Sequence, residues 1–111
     1  MPRFLALLIG AADPESKAAV PEDVSARFMQ AWGEWHAAHA GAIVESGSPL
    51  GENVRVARDR AERVPNGLVA WMVVQAESRD DAAAIFAEHP HVSLMAGNAV
   101  DVMELAALPS Q

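Results

Sequence analysis

Two segments of the sequence are apolar at nearly every position, which limits the chain to few folds. They are residues 3–9, RFLALLI, and residues 68–76, LVAWMVVQA. Successive side chains of a β-strand point to opposite faces of a sheet, so a short apolar run of this kind is typical of a strand buried on both faces. The sequence therefore predicts two strands in the middle of a sheet.

Amphipathic helices and further strands accompany these two segments. From Pro21 to Gly41, a helical period places one set of residues on an apolar face: Val24, Phe28, Ala31, Trp32, Trp35 and His39. Ser78 with Asp81 resembles a capping box, and the second helix that it opens is expected to end before Pro90. Further strands are predicted at residues 42–46, 53–58 and 99–105, and a turn at 47–51.

The order of these elements is strand, helix, strand, extra strand, strand, helix, strand. Two successive βαβ halves predict an α+β fold, a ferredoxin-like sandwich whose antiparallel sheet carries two helices on one face. The first strand of each half then lies in the middle of the sheet, where the two apolar segments are expected. The 111 residues are sufficient for one domain of this kind, residues 1–111.

The other face of the sheet is predicted to be apolar and uncovered. It would carry Val69, Trp71 and Val73 together with the matching side of residues 3–9. A patch of this size is larger than monomers usually expose. We therefore expect a homodimer that forms through the sheet face carrying Trp71.

Charge and composition argue against several kinds of partner and location. A formal net charge of −7 opposes binding to nucleic acid or to acidic membranes. The absence of cysteine fits a reducing cytoplasm. The apolar run near the start is short and is followed by Asp13, so no signal peptide is expected, and no apolar stretch is long enough for a membrane helix.

Three segments resemble the YCII-related (DGPF-type) domain family. MQAWGEWHAAHAGAIVESGSPLG is similar to its first helix and second strand, GLVAWMVVQAESRDDAAAIFAEHPHV to the segment that ends with its second helix, and GNAVDVMEL to its closing strand. The resemblance implies a dimeric α/β barrel of ferredoxin-like protomers. It implies little about activity, because most members have no established function and an enzymatic role has been proposed from a His–Asp pair in only some.

Two departures from the family pattern concern the proposed pair. The Asp-Gly-Pro-Phe motif is replaced by RAERVPNGL, and Gln30 stands where the family's histidine is expected. The family's proposed catalytic pair is therefore not carried over to this chain.

The segment MQAWGEWHAAHAG provides the candidate site residues. His39 is predicted near the centre of the apolar helix face, beside Trp32 and Trp35, and His36 at its margin. These side chains could simply fill the core, with His39 bonded to a backbone carbonyl. Alternatively, they line a small-molecule pocket, in which histidine is suited to proton transfer near neutral pH.

His89 is expected at the C-terminal end of the second helix, where the helix dipole favours a cation, and it can approach the same face. It joins Trp32, Trp35 and Arg55 as a candidate ligand-binding residue. Arg55 belongs to an arginine-rich hairpin at residues 55–63, which is either a solvated turn or a gate for an anionic ligand.

Asp101 completes the catalytic candidates, which are His39, His36 and Asp101. Its strand position allows either an inward carboxylate that pairs with His39 or an ordinary solvated edge residue. The spacing of His36 and His39 permits two metal ligands, with Glu45 or His91 as possible completions, but no metal and no cofactor is predicted.

Two classes of function remain open. One is an enzyme of isomerase, lyase or cofactor-free oxygenase type, with His39 or His36 as the base. The other is a non-catalytic interaction or accessory module that acts as a homodimer. The fold alone does not decide between them, because one scaffold supports unrelated chemistries.

Overall fold

The computed structural model describes residues 1–10 and 22–108. Its helices are α1 (Glu22–Ala38), α2 (Arg79–Phe86) and α3 (Pro90–Ser93). Its strands are β1 (Arg3–Ile9), β2 (Ile43–Pro49), β3 (Val54–Val56), β4 (Ala61–Arg63), β5 (Leu68–Gln75) and β6 (Ala99–Glu104). The fold is therefore α+β, as the sequence predicts.

Four of the strands form an antiparallel sheet in the order β2-β5-β1-β6. The two strands that are apolar on both faces, β1 and β5, lie in the middle and pair with each other, which confirms the sequence-based placement. This order is compatible with a ferredoxin-like arrangement.

The core lies on one face of the sheet. It combines side chains from β1, from β5 and the residue after it, and from both longer helices: Phe4, Ala6, Trp35, Met72, Val74, Ala76, Ala82 and Phe86. Because Trp35 comes from α1 and Ala82 and Phe86 come from α2, both helices cover the same face. The predicted apolar face of α1 is confirmed by this packing.

The opposite face of the sheet, called here the outer face, is also apolar. Pairing in register places Leu5 beside Val73 and Leu7 beside Trp71. Val73 is buried, whereas the other three are half-buried. The indole Nε1 of Trp71 donates a hydrogen bond to Oγ of Ser48 at 3.2 Å. The sheet thus has a second apolar surface that its own helices do not cover.

The predicted turn at residues 47–51 is wrong in its position, because β2 continues to Pro49. The pairing with β5 shifts register on either side of Glu45, and Gly47 has a φ of 69°. Glycine adopts this left-handed conformation without steric cost. Gly47 therefore produces an irregularity within the strand instead of reversing the chain.

The predicted extra strand at residues 53–58 is shorter than expected and forms a hairpin. Its residues Val54–Val56 pair with Ala61–Arg63 as a separate two-stranded sheet, called here the arm. The Cα radius of gyration is 15.8 Å, larger than the roughly 13 Å typical of a compact domain of about 100 residues. The dimensions fit a hairpin that projects from the main sheet.

The role of Pro90 after α2 also differs from the prediction. Ser78 caps the helix as expected, and its hydroxyl accepts a hydrogen bond from the Asp81 N–H at 3.1 Å. The helix ends at Phe86, however, and Pro90 begins α3. Proline lacks an N–H and has a helical φ, so it suits the first position of a helix as well as the residue after one.

Among the residues that the structure describes, no helix is long and apolar enough to cross a membrane.

Candidate functional site

Trp35 fixes the C-terminal part of α1 against α2. The side chain is buried, and its Nε1 donates a hydrogen bond to the carbonyl oxygen of Ile85 at 3.0 Å. Ile85 lies in the last turn of α2, where helix carbonyls lack partners within the helix. This bond holds the two helices together and sets the position of the neighbouring His36 and His39.

His39 follows the last residue of α1 and is half-buried. Its Nδ1 lies 2.9 Å from the carbonyl oxygen of Trp35, which also accepts the His39 backbone N–H at 3.0 Å. A carbonyl oxygen can only accept, so Nδ1 carries the proton and the lone pair of the neutral ring is on Nε2. This is the backbone bond expected of a packed histidine, and it also leaves a basic nitrogen with a defined orientation.

His89 lies between α2 and α3 and is completely buried. It caps α3, and its Nδ1 accepts a hydrogen bond from the His91 backbone N–H at 3.0 Å. In the neutral ring the proton is therefore on Nε2. That nitrogen is buried and has no hydrogen-bond partner.

Burial lowers the pKa of His89 to about 4, and the nearby His91, His36 and His39 contribute to the shift. His89 is therefore neutral at pH 7. The expectation of a cation at a helix C-terminus is wrong, because α2 ends three residues earlier and His89 caps the N-terminus of α3 inside the core. The expectation that His89 approaches the α1 face is confirmed.

His91 connects this region to the sheet. Its side chain is buried, and its Nε2 donates a hydrogen bond to the carbonyl oxygen of Ile9 at 2.9 Å. Its Nδ1 then accepts from Nδ2 of Asn98 at 3.4 Å. Because Ile9 is the last residue of β1, this bond attaches α3 to the end of a central strand.

The rings of these residues pack together. The centroid of the His89 ring lies 4.5 Å from that of Trp32 and 4.4 Å from that of Trp35, both nearly edge to face. The His36 ring is stacked with Trp32 at 6.0 Å, and the His39 ring lies 4.8 Å from Trp35. The His91 ring is 6.4 Å from that of His89. All four histidines of the chain thus gather around two tryptophans, and we call this group the histidine–tryptophan cluster: Trp32, Trp35, His36, His39, His89 and His91.

Two imidazole nitrogens in the cluster are buried without a hydrogen-bond partner, namely Nε2 of His36 and Nε2 of His89. Burial lowers the pKa of His36, as it does that of His89. An unpaired polar group in an apolar environment costs about 1–3 kcal/mol. Such groups are uncommon in folded proteins, and two in one aromatic cluster indicate a place where a polar ligand atom would be stabilised.

Asp101 is not brought to the cluster. It pairs with Leu7 on the outer face of the edge strand β6 and is exposed, whereas His39 packs against Trp35 on the helix-covered face. Asp101 is therefore the solvated edge residue of the second alternative, and it forms no pair with His39.

Arg55 and Gln30 also lie outside the cluster. Arg55 is exposed in the arm, where it pairs with Glu62 in register, and the hairpin contains an exposed ion pair between Arg60 and Glu62 at 3.8 Å. Gln30 is exposed on α1 and donates a hydrogen bond from Nε2 to Glu34 at 3.2 Å. The position that the family resemblance assigns to a histidine therefore points to the solvated side of α1.

In the part of the chain that the structure describes, no three His, Cys, Asp or Glu side chains are arranged to hold a metal ion. Glu45, one of the two completions that the sequence offers, is exposed on β2 and pairs with Val73. The other, His91, donates its Nε2 hydrogen bond to the carbonyl oxygen of Ile9.

A cavity of about 390 Å³ lies at the end of the sheet where β1 starts. Its lining includes Phe4, Ser78, Arg79, Val102 and Glu104. The histidine–tryptophan cluster is joined through His91 to the end where β1 finishes. The cavity is therefore separate from the cluster.

The sequence alone does not indicate that His89 caps α3 or that His91 bonds to the end of β1, because the motif HPH is sufficiently explained as a helix stop. A histidine directly before a proline has the extended backbone that a helix cap requires, and this is the signal in the sequence that could have identified the cap.

Comparison with known protein families finds no family model that matches this chain. No curated protein matches it either.

Proposed function

We propose that the histidine–tryptophan cluster is a small-molecule site that catalyses proton transfer at a carbon next to a carbonyl group, with His39 as the general base. The observation that carries this proposal is the 2.9 Å bond between Nδ1 of His39 and the Trp35 carbonyl. It orients the half-exposed ring and keeps the lone pair on Nε2, the atom that would accept the proton.

His89 supplies the complementary group. Its ring is neutral, and Nε2–H is buried without a partner, so it can donate a hydrogen bond to an oxygen on which negative charge develops. A neutral imidazole serves this purpose in other enzymes that form enolates. In the proposed step, His39 takes the proton from carbon, the electron pair of the broken C–H bond forms the C=C bond of an enolate, and the π pair of the carbonyl group moves to the oxygen bound by His89.

Trp32 defines how a ligand would enter. It is half-buried and contacts both His36 and His89. A small planar ligand would replace the contacts between these rings, and its polar atoms would pair with the nitrogens left unpaired by the protein. The preferred ligand is therefore a small carbonyl compound with an apolar or aromatic part.

Deuterium exchange tests this proposal. The protein is incubated in D₂O with small enolisable carbonyl compounds such as pyruvate, oxaloacetate and acetylacetone, and loss of the α C–H signal is followed by NMR. We expect exchange above the buffer rate for at least one compound, with a loss of about 100-fold in His39→Gln and in His89→Gln. Glu34→Gln, on the exposed side of α1, is the matched control and should retain the wild-type rate.

Exchange at the buffer rate for the wild type, together with unchanged histidine resonances at millimolar compound, would refute the proposal. Equal exchange by the wild type and His39→Gln would exclude His39 as the base.

A second role is favoured by the outer face. We propose that the chain is a homodimer in which a second copy covers the surface around Leu7, Trp71 and Val73, and that it belongs to the YCII-related family of dimeric α/β barrels. The sheet order and the single-sided helices support this assignment. The cysteine-free sequence supports a cytoplasmic location.

Sedimentation equilibrium tests the dimer. We expect a mass of twice 11.8 kDa at micromolar concentration and a monomer for Trp71→Lys, with circular dichroism to verify that the variant is folded. A monomeric wild type would refute both the dimer and the barrel. The dimer alone, without any exchange or ligand binding, would support the non-catalytic interaction module.

A further inference from the structure

The arm exposes apolar side chains to solvent. The pairing register places Val54 and Val56, with Arg63 and Ala61 opposite them, on one face of the hairpin and Arg55 with Glu62 on the other. Val54 is 54% and Val56 78% exposed. A two-stranded hairpin by itself is only marginally stable in water, so an arm with exposed valines is incomplete without a surface to pack on.

The arm is also the basic part of an acidic chain. It contains four of the eight Lys and Arg residues, namely Arg55, Arg58, Arg60 and Arg63, against two acidic residues, Asp59 and Glu62. The whole chain has a net charge of −7, so the remainder is strongly acidic. Opposite charges on two surfaces steer their association and contribute to its specificity, so a basic arm is complementary to the acidic body of another copy.

The outer face has the matching pattern. Its apolar centre, formed by Leu5, Leu7 and Val73, is flanked by a carboxylate on each edge strand. Glu45 lies beside Val73 on β2, and Asp101 lies beside Leu7 on β6, and both carboxylates are exposed. An apolar stripe with one carboxylate on each side complements a hairpin that carries exposed valines and arginines.

We propose that the arm of each copy docks on the outer face of a second copy of this chain, with Val54 and Val56 on the apolar stripe and the arginines near Glu45 and Asp101. This inference rests on the homodimer proposed above and identifies a segment of the partner that covers the face. It also explains the position of the arginine-rich segment, which the histidine–tryptophan cluster does not use.

Photo-crosslinking tests the contact directly. Because the chain contains no cysteine, Val56→Cys introduces a single thiol that can carry a benzophenone maleimide. The ¹⁵N-enriched variant that carries the benzophenone is mixed with an equal amount of natural-isotope protein that carries none. The mixture is irradiated, and the products are identified by mass spectrometry. We expect links between heavy and light chains at peptides that contain Leu5–Leu7 or Asp101–Met103.

Glu34→Cys is the matched control, because residue 34 is exposed on the solvent side of α1. It should give no crosslink between chains. Links from position 56 that remain within one chain, or that reach the helices of the partner, would overturn the inference.

Charge reversal provides the second measurement. Arg58→Glu with Arg60→Glu, and separately Glu45→Lys with Asp101→Lys, should each raise the dimer dissociation constant about tenfold or more. The two pairs combined in one chain should restore a value close to the wild type.

The homodimer and the arm contact fail in different ways. If the wild type is a monomer, both are wrong. If Trp71→Lys dissociates the dimer but the arm reversals leave its dissociation constant unchanged, the homodimer stands and the arm contact is wrong.

Discussion

Gly47 lies against the backbone of Trp71 in the neighbouring strand. A Cβ atom at Gly47 would overlap the Trp71 carbonyl oxygen, and its φ of 69° lies in the left-handed region. The contact is with backbone and not with a flexible side chain, so relief requires β2 and β5 to separate. A side chain at this position is thus excluded both by space and by conformation.

Gly47→Ala should therefore destabilise the sheet. We expect the free energy of unfolding to fall by about 2–4 kcal/mol, since the substitution combines a left-handed non-glycine residue with a steric clash. Urea denaturation followed by circular dichroism measures the change. Gly51→Ala is the control, because a Cβ there meets nothing within 4 Å, and its unfolding midpoint should stay close to that of the wild type. Equal stability of both variants would show that β2 does not approach β5 as described.

Gly33 offers the opposite outcome. It lies in the middle of α1 and is exposed, and a methyl group added to its Cα would meet no atom within 4 Å apart from its chain neighbours and the adjacent backbone of the helix itself. Alanine loses less backbone freedom than glycine when a helix forms, so Gly33→Ala should stabilise the protein by about 0.5–1 kcal/mol. The increase in thermal midpoint is measured by differential scanning calorimetry. A decrease would mean that the exposed side of α1 is packed against another surface.

The sequence predicts the middle of the fold well because the apolar pattern of β1 and β5 has one interpretation. Alternating faces that are both apolar require burial on both sides, and such strands belong in the interior of a sheet. The helical period likewise identifies the face of α1 that carries Trp35 and His39. These features depend on the composition of each segment and not on distant contacts.

The boundaries and the edges are less predictable. Gly47 followed by Pro49 fits a turn as well as an irregular strand, and only the position of β5 selects the second. Pro90 fits a helix stop as well as a helix start. Asp101 alternates with Val100 and Val102, but the sequence does not specify which of the two sets meets the helices.

The site is predicted in part for a similar reason. Helical spacing brings Trp32, Trp35, His36 and His39 together without knowledge of the rest of the chain. The addition of His89 and His91 depends on where α2 ends, and the unpaired nitrogens depend on hydrogen bonds that no sequence pattern encodes. The prediction of a pair between His39 and Asp101 rests on residue type alone. It is wrong because the two side chains lie on opposite faces of the sheet.

Trp35→Phe tests the link between the helices. The substitution removes the Nε1–H that serves the Ile85 carbonyl and leaves this acceptor unpaired at a part-buried position. We expect a loss of about 1–3 kcal/mol in the free energy of unfolding, measured with urea. Trp32→Phe provides the comparison. Because Trp32 is only half-buried, this substitution should lower the free energy of unfolding by less than Trp35→Phe does. A smaller effect at Trp35 than at Trp32 would contradict the role assigned to the hydrogen bond.

His89 makes stability depend on pH in a defined direction. Its pKa in the folded protein is about 4, below the value near 6.5 of an unfolded chain. Between these pH values the unfolded chain binds a proton at His89 that the folded protein does not bind. The contribution of His89 to the free energy of unfolding is therefore fully present above pH 6.5 and falls as the pH decreases toward 4. The loss is on the order of 2–3 kcal/mol. His36 contributes with the same sign, because burial also lowers its pKa.

His89→Asn should reduce this dependence. Asparagine can still cap α3 with its side-chain oxygen but does not titrate, so the fixed cost of the smaller side chain appears equally at each pH. We expect the difference in unfolding free energy between about pH 7.5 and about pH 4.5 to be clearly smaller in the variant than in the wild type, with the remainder due in part to His36. Urea titrations at both pH values measure it. If the difference is as large in His89→Asn as in the wild type, the buried imidazole is not the group whose protonation opposes folding. This result would also contradict the role of His89 as a neutral hydrogen-bond donor in the cluster.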